Sequence, residues 1–101
     1  MTSFDRREEA FEAKFTQDEK RAFKERAHAL RMLGLWAAAK RGETGTAAED
    51  YARGLIDADI SAVPNAAFNK LVFDLSAYGV DAIQLRQKRD EFLAIAQRIA
   101  T

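Results

Sequence analysis

One proline and five glycines are the only strong breakers in this 101-residue sequence, and between them large apolar residues recur every three to four positions. That period puts the apolar side chains on one face of a helix. A half-buried strand would need strict alternation rich in Val, Ile and Thr, and no segment shows it. The chain is therefore expected to be all-α, and its breakers predict where each helix stops.

The first helix should close at Gly42, because Lys40 and Arg41 place positive charge in its last turn and glycine tolerates the left-handed cap. Thr46-Ala47-Ala48-Glu49 has capping-box spacing and predicts a second, short helix ending near Ala58, with Ala48, Tyr51, Ala52, Leu55 and Ile56 inward. Pro64 and Asn65 should open a third helix that buries Phe68, Leu71, Val72 and Leu75 and closes at Gly79, with Val80 touching Leu75 as in a Schellman motif. Asp81-Ala82-Ile83-Gln84 is a second capping box, leading into a fourth helix with Leu85, Phe92, Ala96 and Ile99 on one face. Four helices joined by short loops make a small four-helix bundle.

At about 100° per residue, the first helix carries two apolar stripes. Phe4, Phe11, Phe15, Ala22, Ala29, Leu33 and Trp36 form one. Phe23, Ala27, Leu30, Gly34 and Ala37 form the other, which begins only at Phe23. Residues 1–20 thus have three large apolar groups, all Phe, and ten charged residues. So thin a stripe cannot offset the entropy of ordering the segment alone. The expected organisation is a mobile N-terminal segment, residues 1–20, followed by a bundle over residues 21–101. Phe4, Phe11 and Phe15 fall within about 40° of arc, the alignment that a helix entering a partner's groove requires.

Composition removes other classes. Lys+Arg and Asp+Glu are equal at 16 each and interleaved, so no net field favours nucleic acid or an anionic membrane. Without cysteine there is no disulfide framework, thiolate zinc site or cysteine nucleophile, and a reducing compartment is expected. The N-terminus lacks the apolar stretch of a signal peptide, and Leu35-Trp36-Ala37-Ala38-Ala39 is too short to span a bilayer. The single histidine, His28, has no recognisable triad partner, so no enzyme activity is expected. Asp57-Ala58-Asp59-Ile60-Ser61 imitates the start of an EF-hand loop, but Ala62 and Phe68 occupy its essential Gly and Glu positions. Gly42-Glu43-Thr44-Gly45-Thr46 lacks the Lys-Ser/Thr ending of a P-loop and reads as a loop with a cap. Trp36 lies on the apolar stripe and reads first as core.

Ser3-Phe4-Asp5-Arg6-Arg7-Glu8-Glu9-Ala10-Phe11-Glu12-Ala13-Lys14-Phe15 resembles the opening F-D-x-R-E-x-A-F-E-x-K-F of the zeta subunit of alphaproteobacterial F-type ATP synthases. Arg31-Met32-Leu33-Gly34-Leu35-Trp36-Ala37-Ala38 resembles that family's L-L-G-x-W-A-A segment, and Gly45 with Tyr51-Ala52 its T-G-x-x-A-x-x-Y-A stretch. The resemblance implies a four-helix bundle with a mobile N-terminal inhibitory arm that folds into a helix and wedges into a catalytic interface of the synthase head, blocking ATP hydrolysis. The implied partners are the alpha, beta and gamma subunits of that head. Contacts would come from Phe4, Asp5, Arg7, Glu8, Glu9, Phe11, Glu12, Lys14 and Phe15.

Weak ADP or ATP binding by the bundle is also implied, with Arg31, Trp36, Lys40 and Arg41 as candidate contacts because basic groups stand beside an aromatic. No cofactor is required. The expected location is cytoplasmic, peripheral to the inner membrane through the synthase, with no direct membrane contact. The competing readings are an ADP/ATP-sensing helical module and a helical adaptor with little or no inhibitory activity.

Overall fold

The computed structural model describes the backbone of residues 3–100 and the side chains of residues 17–99. It is all-α: α1 (Ser3–Lys40), α2 (Gly45–Ile60), α3 (Ala66–Leu75) with a 3-10 turn at Ser76–Tyr78, and α4 (Ala82–Ala100). Among the described residues no helix is long and apolar enough to cross a membrane.

The helix ends follow local chemistry. Gly42 takes φ 77°, and the amides of Glu43 and Gly42 donate to the carbonyls of Ala38 and Ala39 at 2.8 and 3.0 Å, closing α1 in a Schellman motif. The same device ends the α3 segment. Gly79 has φ 76°, the Val80 amide donates to the Leu75 carbonyl at 3.5 Å, and both side chains are buried. Asn65, in the left-handed region at φ 58°, precedes α3, a conformation that Asn tolerates better than most residues. At α4 the capping box is reciprocal: the Gln84 amide donates to Asp81 Oδ1 at 2.9 Å, and the Asp81 amide to Gln84 Oε1 at 3.2 Å.

Two expected ends are corrected. Helix α2 starts at Gly45 with Thr44 as N-cap, so Thr46 lies inside it and cannot serve as the cap of a box with Glu49. The Glu49 carboxylate instead accepts both bonds of a forked pair from Arg31 Nη2, at 2.7 and 2.8 Å. Helix α2 also runs past Ala58 to Ile60. There the hydroxyl and amide of Ser61 both donate to the Ala58 carbonyl, at 2.6 and 3.2 Å. The EF-hand imitation therefore falls partly in a helix, with Asp59 taken up by Arg26 at 2.7 Å.

Helix α1 is the hub. Helices α2 and α4 pack along it, while α3 rests chiefly on α2. Arg26 pairs with Asp59 and Arg31 with Glu49, so α2 runs antiparallel to α1. Leu33, Leu55, Leu71, Leu75 and Leu85 are fully buried and fill the centre. Ala37, Ala38 and Ala52 bring the helices close. Closest of all is Gly34, where an added Cβ would stand 2.7 Å from the Ala52 Cα, so the α1–α2 crossing depends on a residue without a side chain.

Three described members of the expected apolar faces are exposed and not in the core, the small Ala22 beside Phe23 among them. Phe23 is 44% exposed, because α2 ends one residue past Asp59, the partner of Arg26, and no helix continues across from Phe23. Ile99 is 66% exposed, in the last turn of α4. The helical period that includes it is intact, but no third helix covers it: α1 is its neighbour through Gln17, Lys24 and His28.

A polar tie joins α2 to α3. Tyr51 is buried among the core residues, and its hydroxyl donates to Asp74 Oδ2 at 2.9 Å. Lys70 Nζ stands 3.2 Å from the same oxygen, while the Arg41 guanidinium and the Lys70 ammonium lie 4.8 and 5.3 Å from the Tyr51 ring centre. Burial first, then the hydrogen bond to Asp74 and its charge, hold the phenol pKa well above its ordinary value, against the opposing pull of Arg41. A raised folded-state pKa makes a stability contribution that is complete below the unfolded phenol's pKa, about 10, and is lost as pH rises through the folded value. Replacing Tyr51 with Phe is expected to cost about 1 kcal/mol in urea melts at neutral pH, since Asp74 keeps Lys70. At about pH 11 the cost should shrink, because only the parent then carries a phenol that the unfolded chain prefers to ionise. A cost that grew with pH would contradict this account.

Candidate functional site

The expected partner-contacting side chains Phe4, Asp5, Arg7, Glu8, Glu9, Phe11, Glu12, Lys14 and Phe15 lie outside the described side chains, as does most of the segment expected to be mobile. What is described is how that segment joins the bundle. The backbone of α1 runs continuously from Ser3 to Lys40. From Gln17 to His28 no side chain is buried, and among the described residues the first in the core are Ala29 and Leu30. The leading helix therefore overruns the bundle core by several turns.

The four residues proposed for nucleotide do not form one cluster. Arg31 faces α2 and is engaged by Glu49. Arg41 lies over Tyr51 and pairs with Glu43 at 3.1 Å. Trp36 and Lys40 do come together, on the side of α1 that meets α4, with Lys40 Nζ 5.5 Å from the indole centre, one helical turn along.

Lys88 of α4, which sequence reasoning missed, completes this corner, its Nζ 5.8 Å from the Trp36 ring and also 5.8 Å from that of Phe92. No local spacing could have pointed to Lys88, because its relation to Trp36 exists only once α4 lies along α1. Gln84, Gln87, Lys88 and Glu91 of α4 and the indole enclose a hollow of about 160 Å³. Trp36 itself is partly buried and packs against the core on its inner side. The corner thus offers an aromatic face and two ammonium groups, with Glu91 drawing Lys88 to 3.4 Å as a competitor for any anion.

The class that this fold defines is a small antiparallel helical bundle hung on a leading helix longer than the bundle needs. The family model for the ATPase inhibitor subunit zeta matches residues 1–98, and the chain belongs to that family. Membership makes it an ATPase inhibitor subunit by kind and implies association with the ATP synthase. Neither a curated protein nor a solved structure matches the chain significantly.

Proposed function

We propose that the chain restrains ATP hydrolysis by inserting residues 1–20, as a helix, into a catalytic interface of the synthase head, with contacts to alpha, beta and gamma subunits. The observation that carries this reading is the overrun of α1. A continuous helix reaches back to Ser3, yet among the described side chains the core begins only at Ala29. The described part of that extension, Gln17 to His28, buries no side chain in its own chain, which suits a partner's groove. The bundle then anchors and orients the wedge, and the chain is peripheral to the membrane through the synthase alone.

Weak ADP or ATP binding belongs to the same proposal, and the Trp36–Lys40 corner supports it better than Arg31 or Arg41. Those two guanidiniums already pair with Glu49 and Glu43, and an anion would have to displace a carboxylate.

The test is ATP hydrolysis by isolated synthase head with the full chain and with a chain lacking residues 1–19. The full chain is expected to inhibit. The shortened one should not inhibit, but should keep a cooperative thermal transition by circular dichroism, because no described side chain between Gln17 and His28 is buried. Undiminished hydrolysis by head that has bound the full chain would refute the proposal, as would equal inhibition by the two chains.

A further inference from the structure

A second hollow, of about 230 Å³, lies where α1, α3 and α4 meet and shares no lining residue with the Trp36 corner. Its walls are carbon: Ala29, Leu30 and Leu33 of α1, Ala67 and Phe68 of α3, and Leu93 of α4. It is open because α3 is only ten residues long and leans on α2, and because alanines stand at two wall positions. An apolar cavity of about 150 Å³ already holds a benzene ring, so this one has room for a ring or a branched alkyl group with a short tail.

The rim has a different chemistry. Arg26 and Asp59 stand there as a pair 2.7 Å apart and cancel one another. Arg89 stands there too, its guanidinium 5.4 Å from the Phe68 ring centre, and its pairing is a long 3.4 Å contact to the neighbouring Asp90, whose side chain is 70% exposed. Asn65, the one described non-glycine residue in the left-handed region, forms part of the same rim and adds an amide.

We propose that this hollow binds a small apolar monocarboxylate, with its hydrocarbon body among Ala29, Leu33, Ala67, Phe68 and Leu93 and its carboxylate on Arg89. A guanidinium meets a carboxylate in a forked, charge-assisted pair. Arg86 also lies over the Phe68 ring, at 5.8 Å, but does not line the hollow, so Arg89 is the one weakly held cation at the rim and matches one negative charge. A nucleobase fits poorly here, since walls of carbon leave its ring nitrogens and exocyclic groups without partners. This site is separate from both the N-terminal segment and the Trp36 corner, and its occupancy does not depend on binding to the synthase.

The test uses the full chain, labelled with nitrogen-15, and three probes: 3-phenylpropionate, 3-phenyl-1-propanol and ADP. 3-Phenylpropionate is expected to give saturable shifts centred on the amides of Ala29, Leu33, Ala67, Phe68 and Leu93, and to raise the melting temperature with the logarithm of its concentration once that exceeds Kd. Arg89→Gln, a change at an exposed position, should weaken 3-phenylpropionate roughly tenfold and leave 3-phenyl-1-propanol unchanged within about twofold. Shifts that are diffuse or do not saturate would overturn the site. Equal losses for acid and alcohol in Arg89→Gln would overturn the role of the charge. If ADP moved these same amides at lower concentration than 3-phenylpropionate, the hollow would be a nucleotide site and the carboxylate assignment would fall.

Discussion

Placing proline at Glu12 is expected to abolish inhibition of ATP hydrolysis while leaving the melting temperature of the free chain nearly unchanged. Proline in a helix interior removes a backbone donor and clashes with the preceding turn, at about 3 kcal/mol or more. Glu12 lies well upstream of Ala29, the first described core residue, so that cost is expected to fall on the leading helix and not on the bundle. Single changes of Phe4, Phe11 or Phe15 to Ala should each weaken inhibition by on the order of 2 kcal/mol, more than tenfold in affinity, through lost aromatic burial in the partner. Neutralising Glu8 or Glu9 alone should alter the association rate and its salt dependence more than the residence time, because rim charges steer encounters and do not anchor them. Inhibition constants from hydrolysis assays decide the matter. Phe variants as potent as the parent would show that the aligned ridge is not the wedge.

The largest loss of stability is expected at Leu55. Its side chain is fully buried in the core cluster with Leu33, Leu71 and Leu75, and it reaches Gly34 at the close α1–α2 crossing. Leu55→Ala should cost about 2–5 kcal/mol, the transfer of the lost methyl groups plus the cavity they leave. At roughly 4–8 °C per kcal/mol for a domain of this size, the thermal midpoint should fall by about 8–40 °C. Phe73, on the outer face of α3 and 81% exposed, is the control: its replacement by Ala removes a larger side chain yet should shift the midpoint by no more than a few degrees. If the two variants melted alike, the packing described for α1, α2 and α3 would be wrong.

The synthase-facing proposal and the hollow beside Phe68 make separate demands on the chain. The first needs residues 1–20 to have a partner and the bundle to hold the root of α1 firmly. The Arg26–Asp59 pair sits at that root, 55% and 28% exposed on its two side chains, where an ion pair contributes at most about 1 kcal/mol. Firmness at the root therefore comes from the apolar packing of Leu30 and Leu33 in the core, with Ala29 buried beside them, and not from that pair.

What could be read directly from the sequence was whatever a few neighbouring residues decide among themselves. The left-handed caps at Gly42 and Gly79, the Leu75–Val80 closure and the reciprocal Asp81–Gln84 box were legible because each is complete within six residues or fewer of chain. The all-α class was legible because the apolar period repeats in every segment, and the family because its motifs lie in order along the first half of the chain. Tertiary structure decided what lies opposite what. Thr46-Ala47-Ala48-Glu49 has correct box spacing, yet the helix starts earlier and Glu49 is held by Arg31, eighteen positions away. Phe23 and Ile99 keep perfect helical period and still face solvent, since period fixes only which side of a helix a residue occupies and not whether another helix covers it. Trp36 gained Lys88, and Arg89 gained the Phe68 ring, from helices that pair only after the chain has folded. Local hydrogen bonding and periodicity act over a turn or two of backbone, whereas these pairings depend on where α2 ends, how short α3 is, and how close Gly34 lets α2 approach α1.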